Sequence, residues 1–261
     1  MLVDIHAHLT HELFKNDLNE VIERAKKAGL KAILVSGVNP QDNRKVLELI
    51  KKYDILKASL GIYPIDALGL ASDETGLPRH KGIIDLEKEF DFFVKHKNEI
   101  TAIGEVGLDY KFRADYKEQQ KQNFQKIIDF TKKINKPLIV HSRMAEFDAF
   151  EILESSSIKK SKVILHCFQG RKHILKKAAD AGYNFSIPPV IVKLQHFQLL
   201  TEIAPLSQLL TETDSPWLSP FPGRNEPAFI AESIKKIAEI KKITEEEVIK
   251  IIWMNYQNIF L

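Results

Sequence analysis

The chain has 261 residues, close to the roughly 250 of a single-barrel α/β enzyme, so one domain spanning residues 1–261 with a full core is expected. Its 44% apolar content is ordinary for a globular protein, and no apolar run is long enough to span a bilayer, which excludes a membrane-spanning helix and a membrane partner. The net charge of +3 neither requires nor excludes an anionic substrate, and the one cysteine, Cys167, excludes an internal disulfide and favours a reducing compartment.

The opening run Met1-Leu2-Val3-Asp4-Ile5-His6 lacks a basic region, and Asp4 and His6 interrupt its apolar residues. It is read as a first strand, Leu2–His6, and not as a secretory signal, so the expected location is the cytoplasm. Leu18, Val21, Ile22 and Ala25 fall at i, i+3, i+4 and i+7 and predict a helix, with Gly29 as its C-cap. Strands are predicted at Ala32–Gly37 and Leu56–Gly61. A long connection follows, from Pro64 to about Asp85, and connections of this length are usually functional. The next strand is Ala102–Glu105. Phe124, Ile127, Ile128 and Thr131 repeat the helical spacing until Pro137, which opens a strand at Leu138–His141. Further strands are read at Val163–His166, Tyr183–Ile187 and Gln208–Thr211. The tail from Thr244 predicts a helix opened by a capping box with Glu247. Lysine pairs such as Lys26-Lys27, Lys132-Lys133 and Lys235-Lys236 fall on solvated helix faces.

Short apolar strands alternating with helices predict parallel strands covered on both faces. The choice lies between an open doubly wound sheet and a closed barrel. Eight units, recurring roughly every 30 residues, argue for closure into an α/β fold of the (β/α)8 TIM-barrel type. No glycine-rich dinucleotide fingerprint follows the first strand.

Side chains with metal chemistry recur at the C-terminal ends of these strands, where a barrel gathers its active site. His6 and His8 end the first strand, Glu105 the fourth, His141 the fifth and His166 the sixth, and Asp214 follows the eighth. Alternation along a strand points His6 and His8 to one side, where they can grip one cation. Imidazoles with carboxylates suit Zn, Mn, Fe or Co, whereas carboxylates alone suit Mg. Four histidines and two carboxylates exceed one tetrahedral ion and are about right for two divalent ions sharing a bridging carboxylate. A single strand-end histidine is more often structural; four of them with two carboxylates reverse that. His11, His80, His96, His173 and His196 are read as structural. Cys167 is expected to point to the opposite side of the strand from His166, into core packing.

The sequence resembles a known family along essentially its whole length. Asp4-Ile5-His6-Ala7-His8, Gly104-Glu105-Val106-Gly107-Leu108-Asp109-Tyr110, His141-Ser142-Arg143, His166-Cys167-Phe168 and Thr211-Glu212-Thr213-Asp214-Ser215-Pro216 resemble, in order, the motifs of the TatD-type metal-dependent deoxyribonucleases of the amidohydrolase superfamily. Arg224-Asn225-Glu226-Pro227 and the closing Asn255 and Asn258-Ile259-Phe260 are similar as well. The resemblance implies that Glu105 bridges two metals, Zn, Mg or Mn, where some superfamily relatives use a carbamylated lysine. It implies that His6, His8 and Asp214 complete one site and His141 and His166 the other, with Asp214 taking a proton from the attacking water. Arg143, Arg224 and Asn225 are implied substrate contacts. The chain departs from the family at Tyr63, where a histidine is usual, at Met144, where an aspartate is usual, and in a shorter, less basic segment before Arg224.

Phosphodiester hydrolysis is therefore expected, with DNA as substrate, attacked in single strands or at frayed ends. Trp217 and Phe221 stand ready either to stack on bases or to close the mouth by packing. Tyr63 is expected to position the phosphate through its hydroxyl; the alternative is packing beneath the long connection. Two other functions fit the residues: hydrolysis of a small amide, lactone or phosphoester on the same centre, and a non-catalytic nucleic-acid-binding role, which would not require the six ligands. Nothing calls for an obligate protein partner.

Overall fold

The structure is a computed structural model that describes residues 1–70, 76–78 and 80–261. Its frame is one sheet of eight strands in sequence order, with every neighbouring pair parallel. The strands are β1 (Leu2–Ala7), β2 (Leu30–Ser36), β3 (Leu56–Ile62), β4 (Ile100–Asp109), β5 (Leu138–Arg143), β6 (Val163–Leu165), β7 (Asn184–Ile187) and β8 (Leu209–Thr211). All eight predicted strands are present. β4 and β5 run beyond Glu105 and His141, to Asp109 and Arg143, because their ends keep pairing with each other.

Closure occurs where β8 returns to β1. Thr211 Oγ1 donates to Val3 O at 2.6 Å, Asp214 N to His6 O at 2.8 Å, and His8 N to Ser215 O at 2.8 Å. Buried Asp4 adds a clasp, accepting from Thr213 N at 2.9 Å and from His6 N at 3.2 Å. The same contacts that close the barrel thus bring His6, His8 and Asp214 together.

Helices cover the outside of the sheet. α1 (Leu18–Lys27) buries Val21, Ile22 and Ala25, and Gly29 leaves it with φ of 96°. α2 (Pro40–Ile50) starts on Asn39, whose side chain caps Asp42 N. A single turn, α3 (Pro64–Ala67), opens the long connection before α4 (Leu86–Lys95). The ends of that connection are tied together, Ile84 N donating to Ala67 O at 3.1 Å, and Asn39 Nδ2 holds Asp66 Oδ1 and Pro78 O. Residues 71–75 and 79 of the connection lie outside the described residues. The circuit continues with the single turn α5 (Tyr110–Arg113), then α6 (Lys117–Ile134), α7 (Glu146–Ser155), α8 (Lys172–Ala181), α9 (Gln195–Ile203), α10 (Ile230–Lys241) and α11 (Glu245–Phe260). α6 buries Phe124, Ile127, Ile128 and Thr131 and ends at Asn135 in the left-handed region, two residues before Pro137. Thr244 and Glu247 form the expected capping box of α11. Strand interiors and inward helix faces merge into one buried apolar cluster. Among the described residues no helix is long and apolar enough to cross a membrane.

Candidate metal centre

The strand ends converge on a cluster of ligand atoms. His6 Nε2 and His8 Nε2 lie 3.1 Å apart. Glu105 Oε2 is 3.5 Å from the first and 3.4 Å from the second, and Asp214 Oδ1 is 3.6 and 3.4 Å from them. A tetrahedral ion with bonds of about 2.1 Å separates its ligands by about 3.4 Å. These five separations match that spacing; His6, His8 and Glu105 form a group whose ligand atoms all lie within 4.8 Å of one another, and Asp214 faces both histidines.

The other oxygen of Glu105 faces a second set. Oε1 is 2.6 Å from His141 Nδ1 and 3.8 Å from His166 Nε2. The shorter distance is a hydrogen bond, and a cation held by these residues would take the place of the proton shared by His141 and Glu105. The two oxygens of a single carboxylate therefore serve two histidine pairs, from β1 and from the ends of β5 and β6. Two glycines allow this proximity. A Cβ on Gly61 would overlap the Glu105 backbone, and one on Gly107, whose φ is +140°, would overlap the His141 carbonyl.

Each histidine is oriented through its second nitrogen, which fixes the tautomer and frees the other nitrogen. Ser36 at the end of β2 serves both β1 histidines: its carbonyl accepts from His8 Nδ1 and its hydroxyl bonds His6 Nδ1, each at 3.1 Å. His141 Nε2 donates to Asp109 Oδ2 at 3.0 Å, and His166 Nδ1 donates to Glu212 Oε2 at 2.6 Å. Asp109 and Glu212 are completely buried. Nothing in the sequence pattern by itself singles out Ser36, Asp109 or Glu212 for this role. The last two lie inside the family-like motifs, at distances along the chain that have no meaning until the barrel gathers the ends of β4, β5, β6 and β8 around one mouth.

Electrostatics tie the cluster together. Burial works against charge on His8, but the Asp214 and Glu105 carboxylates overcome it and push His8 up to about 10. Burial likewise opposes charge on His141 and His166; Glu105 with Asp109 raises the former to about 9, and Glu212 raises the latter to about 9. His6 moves the other way, lowered by burial and by neighbouring His166. Burial would raise Glu105 and Glu212, yet the cationic His141 holds Glu105 well below the usual carboxylate range, and His166 holds Glu212 down to about 2.

Cys167 departs from expectation. β6 ends at Leu165, so strand alternation no longer applies, and Cys167 adopts a left-handed φ of 41°. Its Sγ turns toward the centre, within 4.8 Å of ligand atoms of His166 and Asp214, where burial and Glu212 push the thiol well up. Met144 and Asp214 also have left-handed φ, 55° and 54°, just past the ends of β5 and β8. Such backbone is costly and clusters at functional sites.

The family model described as TatD related DNase matches residues 3–261. The chain belongs to this family. Membership places it among metal-dependent hydrolases. It is 36% identical to Deoxyribonuclease TATDN3 of Homo sapiens over 99% of this chain and 94% of that protein. It is 32% identical to the metal-dependent hydrolase YabD of Bacillus subtilis, over 100% and 99% of the two. Among solved structures, the TatD homologue YJJV of Escherichia coli superposes with a TM-score of 0.87 over 99% of this chain and 97% of its own, at 24% identity, which supports the barrel fold.

The four expected substrate contacts, three implied by the family resemblance and Tyr63, lie in different settings. Arg143 is exposed at the end of β5, on the same side as His141. Arg224 makes a two-pronged pair with Asp17, at 2.8 and 2.6 Å, over the ring of Phe14. Asn225 is completely buried; its amide donates to Thr213 O and Trp217 O and so holds the loop that carries Asp214. The structure does not bring Asn225 to the mouth. The Tyr63 hydroxyl donates to Asp109 Oδ2 at 2.5 Å and so supports His141, which differs from the expected bond to phosphate. Trp217 packs edge-on against His8 and His11. His96 bonds Glu99 and His196 bonds Phe168 O, in keeping with structural roles.

Proposed function

We propose that this TatD-family chain hydrolyses phosphodiester bonds of DNA, in single strands or at frayed ends, using two divalent ions held by His6, His8, Glu105, Asp214, His141 and His166. The observation that carries the reading is Glu105, whose two oxygens face separate histidine pairs. When bound, ions of the Zn, Mn or Mg kind lower the pKa of a water and neutralise charge growing on the phosphate. The chain's own residues do the rest. Asp214 is the most exposed carboxylate of the first set, with 16% of its side chain open against 6% for Glu105, so it takes a proton from the attacking water and passes it outward. Arg143, two residues beyond His141, offers a planar pair of donors to a phosphate oxygen. Asp109, Glu212 and Ser36 keep the imidazoles aimed. The name of the human relative supports DNA as the substrate class. The burial of His6, His8 and Glu105 at the strand ends and a net charge of only +3 support unpaired strands over intact duplex. The single cysteine supports a cytoplasmic setting.

The test compares single-stranded oligonucleotide, blunt duplex and closed circular duplex at one salt concentration, alongside a simple ester and a simple amide. The expected result is fastest cleavage of the single strand, abolished by chelation and restored by metal. Full activity in exhaustively metal-free enzyme, or preferred hydrolysis of the amide, would overturn the proposal.

A further inference from the structure

The single turn α5 stands directly after β4, on the catalytic face. Asp109 caps it: Oδ1 accepts from Lys111 N at 2.9 Å and from Phe112 N at 3.2 Å. The other oxygen of Asp109 accepts from His141 and Tyr63. One buried carboxylate therefore fixes the backbone of Phe112 relative to a metal-ligand histidine. The Phe112 ring itself turns outward and is 59% exposed. Arg143 lies over it, its guanidinium carbon 5.1 Å from the ring centroid. Met144, just past β5, and Phe147, in α7, are exposed too. A large apolar side chain left open beside a polar centre, and backed by a cation, suits a flat aromatic ligand that carries negative charge.

We infer that Phe112, backed by Arg143, is the stacking platform for an unpaired nucleobase next to the phosphate held at the metal centre. The inference rests on the phosphodiesterase reading above. The ring face takes the base, and Arg143 bridges the ring and a phosphate oxygen. Exposed Trp217, beside His8, lies across the mouth, because β8 and β4 face each other in an eight-stranded barrel. A strand crossing the centre then meets an aromatic ring on each side. Stacking is indifferent to base identity, so the platform sets a preference for unpaired strands and not for sequence.

The test crosses Phe112→Ala with abasic oligonucleotides in which each position flanking the scissile bond is blanked in turn, using metal-loaded enzyme. Removing the ring is expected to lower kcat/KM about 5- to 150-fold on the normal strand, the range for one base stacked on an aromatic side chain. One abasic position should cause a similar loss in the parent enzyme, and there Phe112→Ala should add nothing further. Phe112→Tyr should restore the rate, and metal content and melting temperature should be those of the parent. An unchanged rate in Phe112→Ala, or the same loss on every abasic strand, overturns the platform. Failure of the parent enzyme to cleave any strand while it hydrolyses a simple ester overturns instead the phosphodiesterase reading on which the platform rests.

Discussion

Asp109→Asn probes the second half of the proposed metal centre. The substitution keeps the size of a completely buried side chain, and its remaining oxygen can still cap Lys111 and Phe112. Its amide then faces two donors, His141 Nε2 and the Tyr63 hydroxyl, where a carboxylate oxygen accepted from both. Loss of such support behind a metal-binding histidine costs about 10- to 100-fold in metal affinity, or about 1.4–2.8 kcal/mol. A second effect has the opposite sign. In the metal-free protein burial disfavours charge on His141, but Glu105 and Asp109 keep its proton up to about 9. Near pH 7.5 removal of that proton costs on the order of 2 kcal/mol, and a cation must displace it to bind Nδ1. Without the Asp109 charge the proton leaves more readily, which offsets part of the lost affinity. The loss should therefore be small near pH 7.5 and reach its full extent near about pH 9.5, where His141 is neutral in both proteins. Calorimetry with chelator-buffered Zn, run in two buffers of different ionisation heat, measures the affinity and the protons released. Tyr63→Phe leaves the Asp109–His141 bond intact and should fall short of the ~10-fold lower limit. An equal loss at both pH values, or a loss confined to the His6–His8 site, would refute the reasoning.

Glu105→Ala should reduce loading at both sites, whereas His8→Ala should empty mainly one; elemental analysis counts the ions, and an equal one-ion loss in both variants would remove Glu105 from the bridging position. Stability of the metal-free protein should fall on the alkaline side. The raised values of His8, His141 and His166 supply stability that is complete below their ordinary value of 6.5 and is lost as pH climbs through about 9 for His141 and His166 and about 10 for His8. Glu105 and Glu212 are depressed, so their contribution is present above the ordinary carboxylate value of 4.5 and fades as pH falls, for Glu212 through about 2. Thermal melts in excess chelator should show this alkaline decline, and saturating Zn should flatten it; a melting temperature that holds steady from pH 6.5 upward would contradict the charge assignments.

The sequence by itself determined the eight-strand repeat, the helices with the Thr244–Glu247 box, and the placing of six candidate ligands at or just past strand ends, because strand and helix periodicities are local and histidines at strand ends stand out against an apolar pattern. Tertiary structure alone decided what the neighbours of those ligands do. Ser36, Asp109 and Glu212 act across strands, so their distances along the chain from His6, His141 and His166 carry no signal until the barrel aligns β1 with β2, β4 with β5, and β6 with β8. Tyr63 could be placed at the mouth from its position after β3, but which group its hydroxyl meets depended on the extension of β4 to Asp109. Cys167 escaped the alternation rule because that rule fails where a strand stops, at Leu165, and the backbone turns left-handed. The family resemblance implies substrate contacts at Arg224 and Asn225, and the fold pairs the first with Asp17 and buries the second. Side-chain type and period are properties of a segment, whereas the partner that satisfies a buried polar group is a property of the closed barrel.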